Sequence, residues 1–190
     1  MKKWINPFEK HSESRLISFG IGFFIIGSLM AFFFNTRFDD FLHITTAESA
    51  KLYQPFLDNI IILSCLFIVF FLAGKIIYSK TRAVDILSVI LIGNAPFYLM
   101  SLTNINDLTT KSTNAILLAM EGAPEDISGF YLFYLTIVGI ISLALLIWII
   151  ALLYNGFKIA ANGKGSKTIA LFILALLITT TITYLIPITY

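Results

Sequence analysis

The residues best suited to chemistry lie in the third apolar run of this chain, where Gly93-Asn94-Ala95-Pro96 interrupts a hydrophobic sequence. Pro96 cannot donate a backbone hydrogen bond to the preceding turn, so a helix must bend or break there. Asn94 would place an amide near the bilayer centre, and some transporters build substrate sites on such broken helices. The pattern makes Asn94 and Pro96 candidate functional positions. The alternative is a structural kink whose freed carbonyl group bonds a neighbouring helix.

A second candidate is the pair Arg82 and Asp85, at the start of the same apolar run. Opposite charges three residues apart can pair on one face of a helix. Charged residues at this depth also anchor a helix at the membrane surface. The spacing therefore predicts either a recognition patch at the surface or an interfacial anchor.

Metal and catalytic chemistry receive little support. Asp39, Asp40 and His43 carry groups that bind divalent metals, but no fourth ligand follows them, and a solvated loop explains them as well. The apolar runs contain no carboxylate pair and no His-Glu-x-x-His or Gly-x-Ser-x-Gly pattern. We expect no enzymatic activity, no cofactor and no bound metal. The formal net charge of +2 gives no reason to expect nucleic acid as a partner.

Five apolar runs must position these residues. Hydrophobic residues make up 58% of the 190 and charged residues only 13%, about half the charged share of soluble domains. A helix needs about 20 apolar residues to cross the hydrocarbon core. The sequence predicts an all-α membrane protein, with an N-terminal segment at 1–15 and a five-helix bundle at 16–190. The predicted spans are about 16–34, 58–78, 84–103, 130–157 and 168–188.

The basic residues predict the orientation. Of the 13 Lys and Arg residues, ten fall in the N-terminal segment and in the second and fourth loops, and three fall in the first and third loops. Segments rich in Lys and Arg stay in the cytoplasm. We therefore expect a cytoplasmic N-terminus and an outer C-terminus, in a multi-pass protein of the bacterial cytoplasmic membrane.

Small residues predict where the helices pack closely, because they let helix backbones approach each other. Gly20, Gly27 and Ala31 share one stripe of the first helix, and Gly139 and Ser142 share one on the fourth. Short surface helices are predicted in the two outer loops. Thr46 would cap the first of them, and the expected ranges are 47–53 and 108–120.

Short motifs along nearly the whole chain resemble the Yip1 family, in its small bacterial branch. They are Asn6-Pro7-Phe8-Glu9-Lys10, Thr36-Arg37-Phe38-Asp39, Arg82-Ala83-Val84-Asp85-Ile86, Ala95-Pro96-Phe97 and Tyr154-Asn155-Gly156-Phe157-Lys158. The resemblance implies five membrane helices and a cytoplasmic N-terminus. Eukaryotic members bind small GTPases, but the segment 1–15 is too short for a partner-binding domain, so the resemblance does not extend that role to this chain.

Two functional hypotheses remain open at this stage. The first is a non-enzymatic membrane protein of Yip1 type, which binds a membrane-protein partner or a second copy of itself, or organises the lipid bilayer. The second is a small channel or transporter built around the break at Asn94 and Pro96. A dry, closely packed bundle favours the first hypothesis. A polar stripe that lines one cavity favours the second.

Overall fold

The computed structural model of this chain describes residues 6–121 and 128–186. Within them, five helical segments are long and apolar enough to cross a membrane. The chain is therefore an all-α, multi-pass membrane bundle, as its apolar runs predict. Its helices and strands, in chain order, are α1 Glu13–Phe33, β1 Thr36–Phe38, β2 Ile44–Thr46, α2 Tyr53–Ile77, α3 Ala83–Gly93, a 3-10 segment Ala95–Asp107, α4 Leu108–Met120, α5 Gly129–Ala160 and α6 Gly165–Leu185.

Every spanning helix begins before its predicted first residue. The difference is largest for α2, which begins at Tyr53 rather than at 58 and so takes Asp58 into its second turn. The predicted spans stop at polar residues, whereas a helical backbone continues into the interfacial region, where its polar side chains are solvated or paired. The last residues of the predicted fifth span, 187 and 188, lie outside the described part of the chain.

The third span is not one α-helix. α3 ends at Gly93, and the chain continues from Ala95 as a 3-10 helix with Pro96 in its first turn. The backbone leaves helical geometry at Asn104, Ile105 and Asn106 before α4 begins. The predicted break is therefore confirmed, and it takes the form of a change of helix type. A helix at 108–120 is also confirmed, as α4.

The first outer loop differs from its prediction. β1 and β2 form an antiparallel hairpin in which Thr36 pairs with Thr46. The Ala47 amide then donates to the Asn35 carbonyl at 2.8 Å, which continues the pairing beyond the strand. The prediction of a helix over 47–53 capped by Thr46 is wrong, because Thr46 is engaged in this hairpin and helical structure begins only at Tyr53.

The helices pack in an order that does not follow the chain. α1 packs against α3 and the 3-10 segment, α2 against α6, and α3 against α5. Aromatic rings fill the centre between α2, α5 and α6, where Phe70 meets Phe157 and Phe172 with centroid separations of 5.4 and 5.8 Å. In the described part of the N-terminal segment, Phe8 packs against the hydrophobic core.

Two predicted packing stripes have opposite outcomes. Gly20, Gly27 and Ala31 are all buried against neighbouring helices, as predicted. A β-carbon at Gly139, by contrast, would meet no atom within 4 Å. The prediction of close packing at Gly139 and Ser142 is wrong, because this part of α5 borders an open groove rather than another helix.

Candidate functional site

One end of the bundle carries the ionic residues that the sequence singles out. We call it the basic end: it comprises residues 6–16, 75–86 and 158–168, and it includes the first turns of α1, α3 and α6. Here Arg82, which precedes α3, hydrogen-bonds Glu13 in the first turn of α1. Its Nε also lies 3.9 Å from Oδ2 of Asp85. Arg82 therefore links α1 to α3.

The electrostatics of this cluster follow from its geometry. The hydrogen bond to Glu13, together with the nearby Asp85 carboxylate, raises the pKa of Arg82 above its ordinary value. The guanidinium stays charged at any physiological pH. Two carboxylates and one guanidinium leave the cluster with a formal charge of about −1 when both carboxyl groups are ionised.

A cavity of about 490 Å³ opens beside this cluster. Its polar lining consists of residues from His11 to Ser14, among them Glu13, and of Asp85 and the buried Ser88. Its apolar lining is formed by Phe8, Leu16, Val89, Gly156, Ile159 and Ala160. Asp85 of the predicted pair therefore lines a cavity, and Arg82 stands beside it. Glu13, which the sequence did not mark, completes the cluster.

The second predicted site lies at the break in the middle of the membrane. Asn94 is fully buried, and neither atom of its amide makes a hydrogen bond within the described residues. The Tyr98 hydroxyl is close enough to interact with this amide, but the two groups do not reach hydrogen-bonding geometry. Unpaired polar groups in an apolar interior cost about 1–3 kcal/mol each. The break therefore carries unsatisfied polar groups.

The 3-10 segment arranges further residues in rows. Side chains three apart lie above one another in a 3-10 helix. Tyr98, Ser101 and Asn104 are all buried, and we call them the polar row. The next row consists of the exposed side chains Leu99, Leu102 and Ile105. The segment therefore turns polar groups inward and apolar groups outward, towards lipid.

The members of the polar row differ in their hydrogen bonds. Asn104 donates to the Phe34 carbonyl at the end of α1 and accepts from the Thr110 amide in α4, at 2.8 and 3.1 Å. Asn104 thus joins the 3-10 segment to α1 and α4. The hydroxyl groups of Tyr98 and Ser101 are buried and have no hydrogen-bond partner among the described residues.

α1 and α2 share one buried polar contact. The Asn59 amide nitrogen donates to the Ser28 hydroxyl at 2.8 Å. Ser28 follows Gly27, whose position is covered by the Tyr98 ring. Polar side chains from α1, α2 and the third span are therefore all enclosed inside the bundle.

The opposite end of the bundle holds a buried ion pair. Arg37 in β1 donates two parallel hydrogen bonds to Asp58 in α2, Nε to Oδ2 at 3.0 Å and Nη2 to Oδ1 at 2.7 Å. The Asp58 side chain is fully buried and that of Arg37 is 12% exposed. This bidentate pair fixes the hairpin to α2.

The loop residues at this end that were considered as metal ligands form hydrogen bonds with protein groups. His43 Nδ1 lies 2.8 Å from the Asp39 carboxylate, while Asp40 accepts a hydrogen bond from Thr183 in α6. Asp39, Asp40 and His43 do line one cavity, of about 680 Å³. No group of three metal-binding side chains is found in the part of the chain that the structure describes.

Comparisons with family models, with curated proteins and with solved structures find no match to this chain.

Proposed function

We propose that this chain is a non-enzymatic integral membrane protein of Yip1 type, which binds partners or organises lipid within the bacterial cytoplasmic membrane. The observation that carries the proposal is the enclosure of its polar interior. Asn94 and Ser101 are fully buried, and the Tyr98 side chain is covered by α1. A conduit for solutes needs polar groups that face a water-filled path.

The cavities support binding at the edge of the bundle. The polar one at the basic end opens beside the ionic cluster, and a second one borders the exposed outer half of α5. Exposed apolar residues on this helix include Phe133, Ile140, Leu143 and Ile147. Surfaces of this kind contact lipid, another membrane protein or a second copy of the chain.

Three residues of the Yip1-like motifs have a structural role in the bundle, and these roles support the Yip1 assignment. Arg37 forms the buried ion pair, Arg82 links α1 to α3, and Pro96 stands at the change of helix type. The five spans and the basic asymmetry of the loops support a cytoplasmic N-terminus. The bacterial cytoplasmic membrane is proposed from the resemblance to the small bacterial branch of the Yip1 family.

A flux assay tests the proposal against its main alternative. The purified protein is reconstituted into liposomes loaded with ions, protons or small fluorescent solutes, and release is compared with that from empty liposomes. We expect equal release in both. Cross-linking in native membranes, from a photoreactive residue at Ile147, should yield a discrete adduct, whereas the same residue at the buried Leu153 should yield none.

The second candidate function is a small channel or transporter, and one observation favours it. Asn94, Tyr98 and Ser101 present unpartnered polar atoms in the middle of the membrane, which a second conformation could expose to a solute. Protein-dependent flux that disappears with Asn94→Leu would establish this function and overturn the first.

A further inference from the structure

A second cavity lies above the polar one at the basic end, between the same three helices. The lower cavity is bordered by Leu16 of α1, Val89 of α3 and Gly156 of α5. The upper cavity, of about 440 Å³, is bordered by Phe23 and Ile26 of α1, Ile92 of α3 and Leu152 of α5. Each helix thus contributes residues about one to three turns farther from the basic end.

The N-terminal segment forms a wall of both cavities. Pro7 lines the upper one and Phe8 the lower one. Phe8 is held where Gly156 has no side chain, since a β-carbon there would lie 2.8 Å from the Phe8 ring. The two cavities have no lining residue in common, but they are neighbours along this wall. We call them together the groove, which extends from the basic end towards the break at Pro96.

Polarity changes along the groove in the same sense as along a lipid molecule. The lower cavity carries the carboxylates of Glu13 and Asp85, whereas the upper cavity is lined by apolar side chains such as Ile92 and Trp148. A ligand that matches both ends has a polar head at the membrane surface and an apolar chain directed to the bilayer centre. Phospholipids of the leaflet at the basic end meet this description.

Charge selects among phospholipids. Within the cluster, Glu13 and Asp85 outnumber Arg82, so a positively charged group is favoured beside the two carboxylates. A zwitterionic head with a primary ammonium group can place its cation at the carboxylates and its phosphate at Arg82. We propose that this groove binds phosphatidylethanolamine, with the ammonium group at Asp85 and Glu13 and an acyl chain beside Ile26 and Ile92. This inference rests on the proposed role in binding within the bilayer.

Native mass spectrometry of the detergent-purified protein tests the head-group assignment. The protein is titrated with phosphatidylethanolamine or with phosphatidylglycerol of identical acyl chains. The two head groups differ by one unit of charge, so we expect phosphatidylethanolamine to be retained about fivefold more. Asp85→Lys should reverse the preference. Asp39→Asn, at the opposite end of the bundle, should leave the preference unchanged.

A pair of variants tests the acyl-chain assignment. Ile26→Trp places a large ring in the upper cavity, whereas the neighbouring Ile25, which is exposed to a similar extent, does not line that cavity. Ile26→Trp should lower retention of both lipids, and Ile25→Trp should not. Equal retention of the two lipids by the wild-type protein, or no response to Asp85→Lys in a protein with an unchanged melting temperature, would overturn the inference. The flux assay tests the proposed function separately. The lipid selectivity can therefore be refuted while the absence of flux holds, and the reverse is also possible.

Discussion

The aromatic ring of Tyr98 lies directly over Gly27, so that a β-carbon on Gly27 would come within 2.2 Å of the ring's Cγ. This contact joins α1 to the 3-10 segment at mid-membrane depth. It places the Tyr98 hydroxyl in the interior of the bundle, and it requires glycine at residue 27.

Gly27→Ala should destabilise the protein, because the methyl group would force Tyr98 or α1 to move. Overpacking of this kind costs about 1–3 kcal/mol, and Gly27→Leu should cost at least as much. The measurement is thermal unfolding in detergent. Gly22→Ala is the matched control, since a β-carbon at Gly22 meets nothing within 4 Å. Ile26→Leu should also be nearly silent. Equal melting temperatures for Gly27→Ala and Gly22→Ala would contradict the packing.

Asp58→Asn should strongly destabilise the protein, because Asp58 is the buried partner of Arg37. It leaves the Arg37 guanidinium largely buried without its carboxylate, and breaking such a pair costs about 3–5 kcal/mol. Thermal unfolding again gives the readout. Asp39→Asn, which removes the partner of the exposed His43, should change stability by less than about 1 kcal/mol. A similar loss for both variants would argue against the buried pair.

Ser101→Ala should leave stability unchanged or raise it, because it removes a buried hydroxyl group that has no partner within the described residues. Ser28→Ala should lower stability by about 1–3 kcal/mol, since it leaves the Asn59 amide nitrogen unpaired in the interior. Both variants remove one hydroxyl group from a fully buried serine, so each controls for the other. A loss of stability in Ser101→Ala would show that a water or another group satisfies this hydroxyl.

The 3-10 segment should show a period of three in lipid exposure. Cysteines placed singly from 98 to 105, in a Cys65→Ser background, can carry spin labels whose collisions with oxygen report contact with lipid. We expect high values at Leu99, Leu102 and Ile105. An α-helix turns about 100° per residue and would direct residue 102 about 60° away from residue 99, whereas a 3-10 helix places the two side chains above one another. A low value at residue 102 would therefore contradict the 3-10 geometry. Residue 105 lies beyond that test, since the backbone leaves helical geometry at Asn104.

The C-terminus should lie outside the cytoplasm. A fluorescent reporter that matures only in the cytoplasm should be dark when fused after Tyr190, and bright when fused after Ser79, between α2 and α3. The reason is the excess of Lys and Arg in alternate loops. Bright cells from the fusion after Tyr190 would reverse the orientation while leaving the five spans in place.

The architecture could be predicted from the sequence because lipid restricts the choices. A chain that crosses the hydrocarbon layer must satisfy its backbone internally, so a long apolar run has to be helical. Pro96 marks the break for a similarly local reason, since it lacks an amide hydrogen. Both features depend on residues that are close together in the chain.

The candidate site was only partly predictable, because most of its contacts join residues far apart in the chain. The pairing of Arg82 with Glu13, like that of Arg37 with Asp58, depends on helix packing that no local pattern encodes. The stripe at Gly139 and Ser142 shows the converse error, because small residues permit close packing but do not supply a neighbour. The polar row did leave a signal. Tyr98, Ser101 and Asn104 repeat every three residues between Leu99, Leu102 and Ile105, a period that favours a 3-10 helix over an α-helix.

The helix type of the third span also affects how much bilayer it can match. A 3-10 helix rises about 2.0 Å per residue and an α-helix about 1.5 Å, so Ala95 to Thr103 reach about 4.5 Å farther than they would in an α-helix. A thinner hydrocarbon layer would favour the shorter form, and mismatch costs a fraction of a kcal/mol per ångström. Rewinding would also rotate the polar row relative to Gly27. The length of this span, and the direction in which its buried amide and hydroxyl groups point, are thus coupled to membrane thickness.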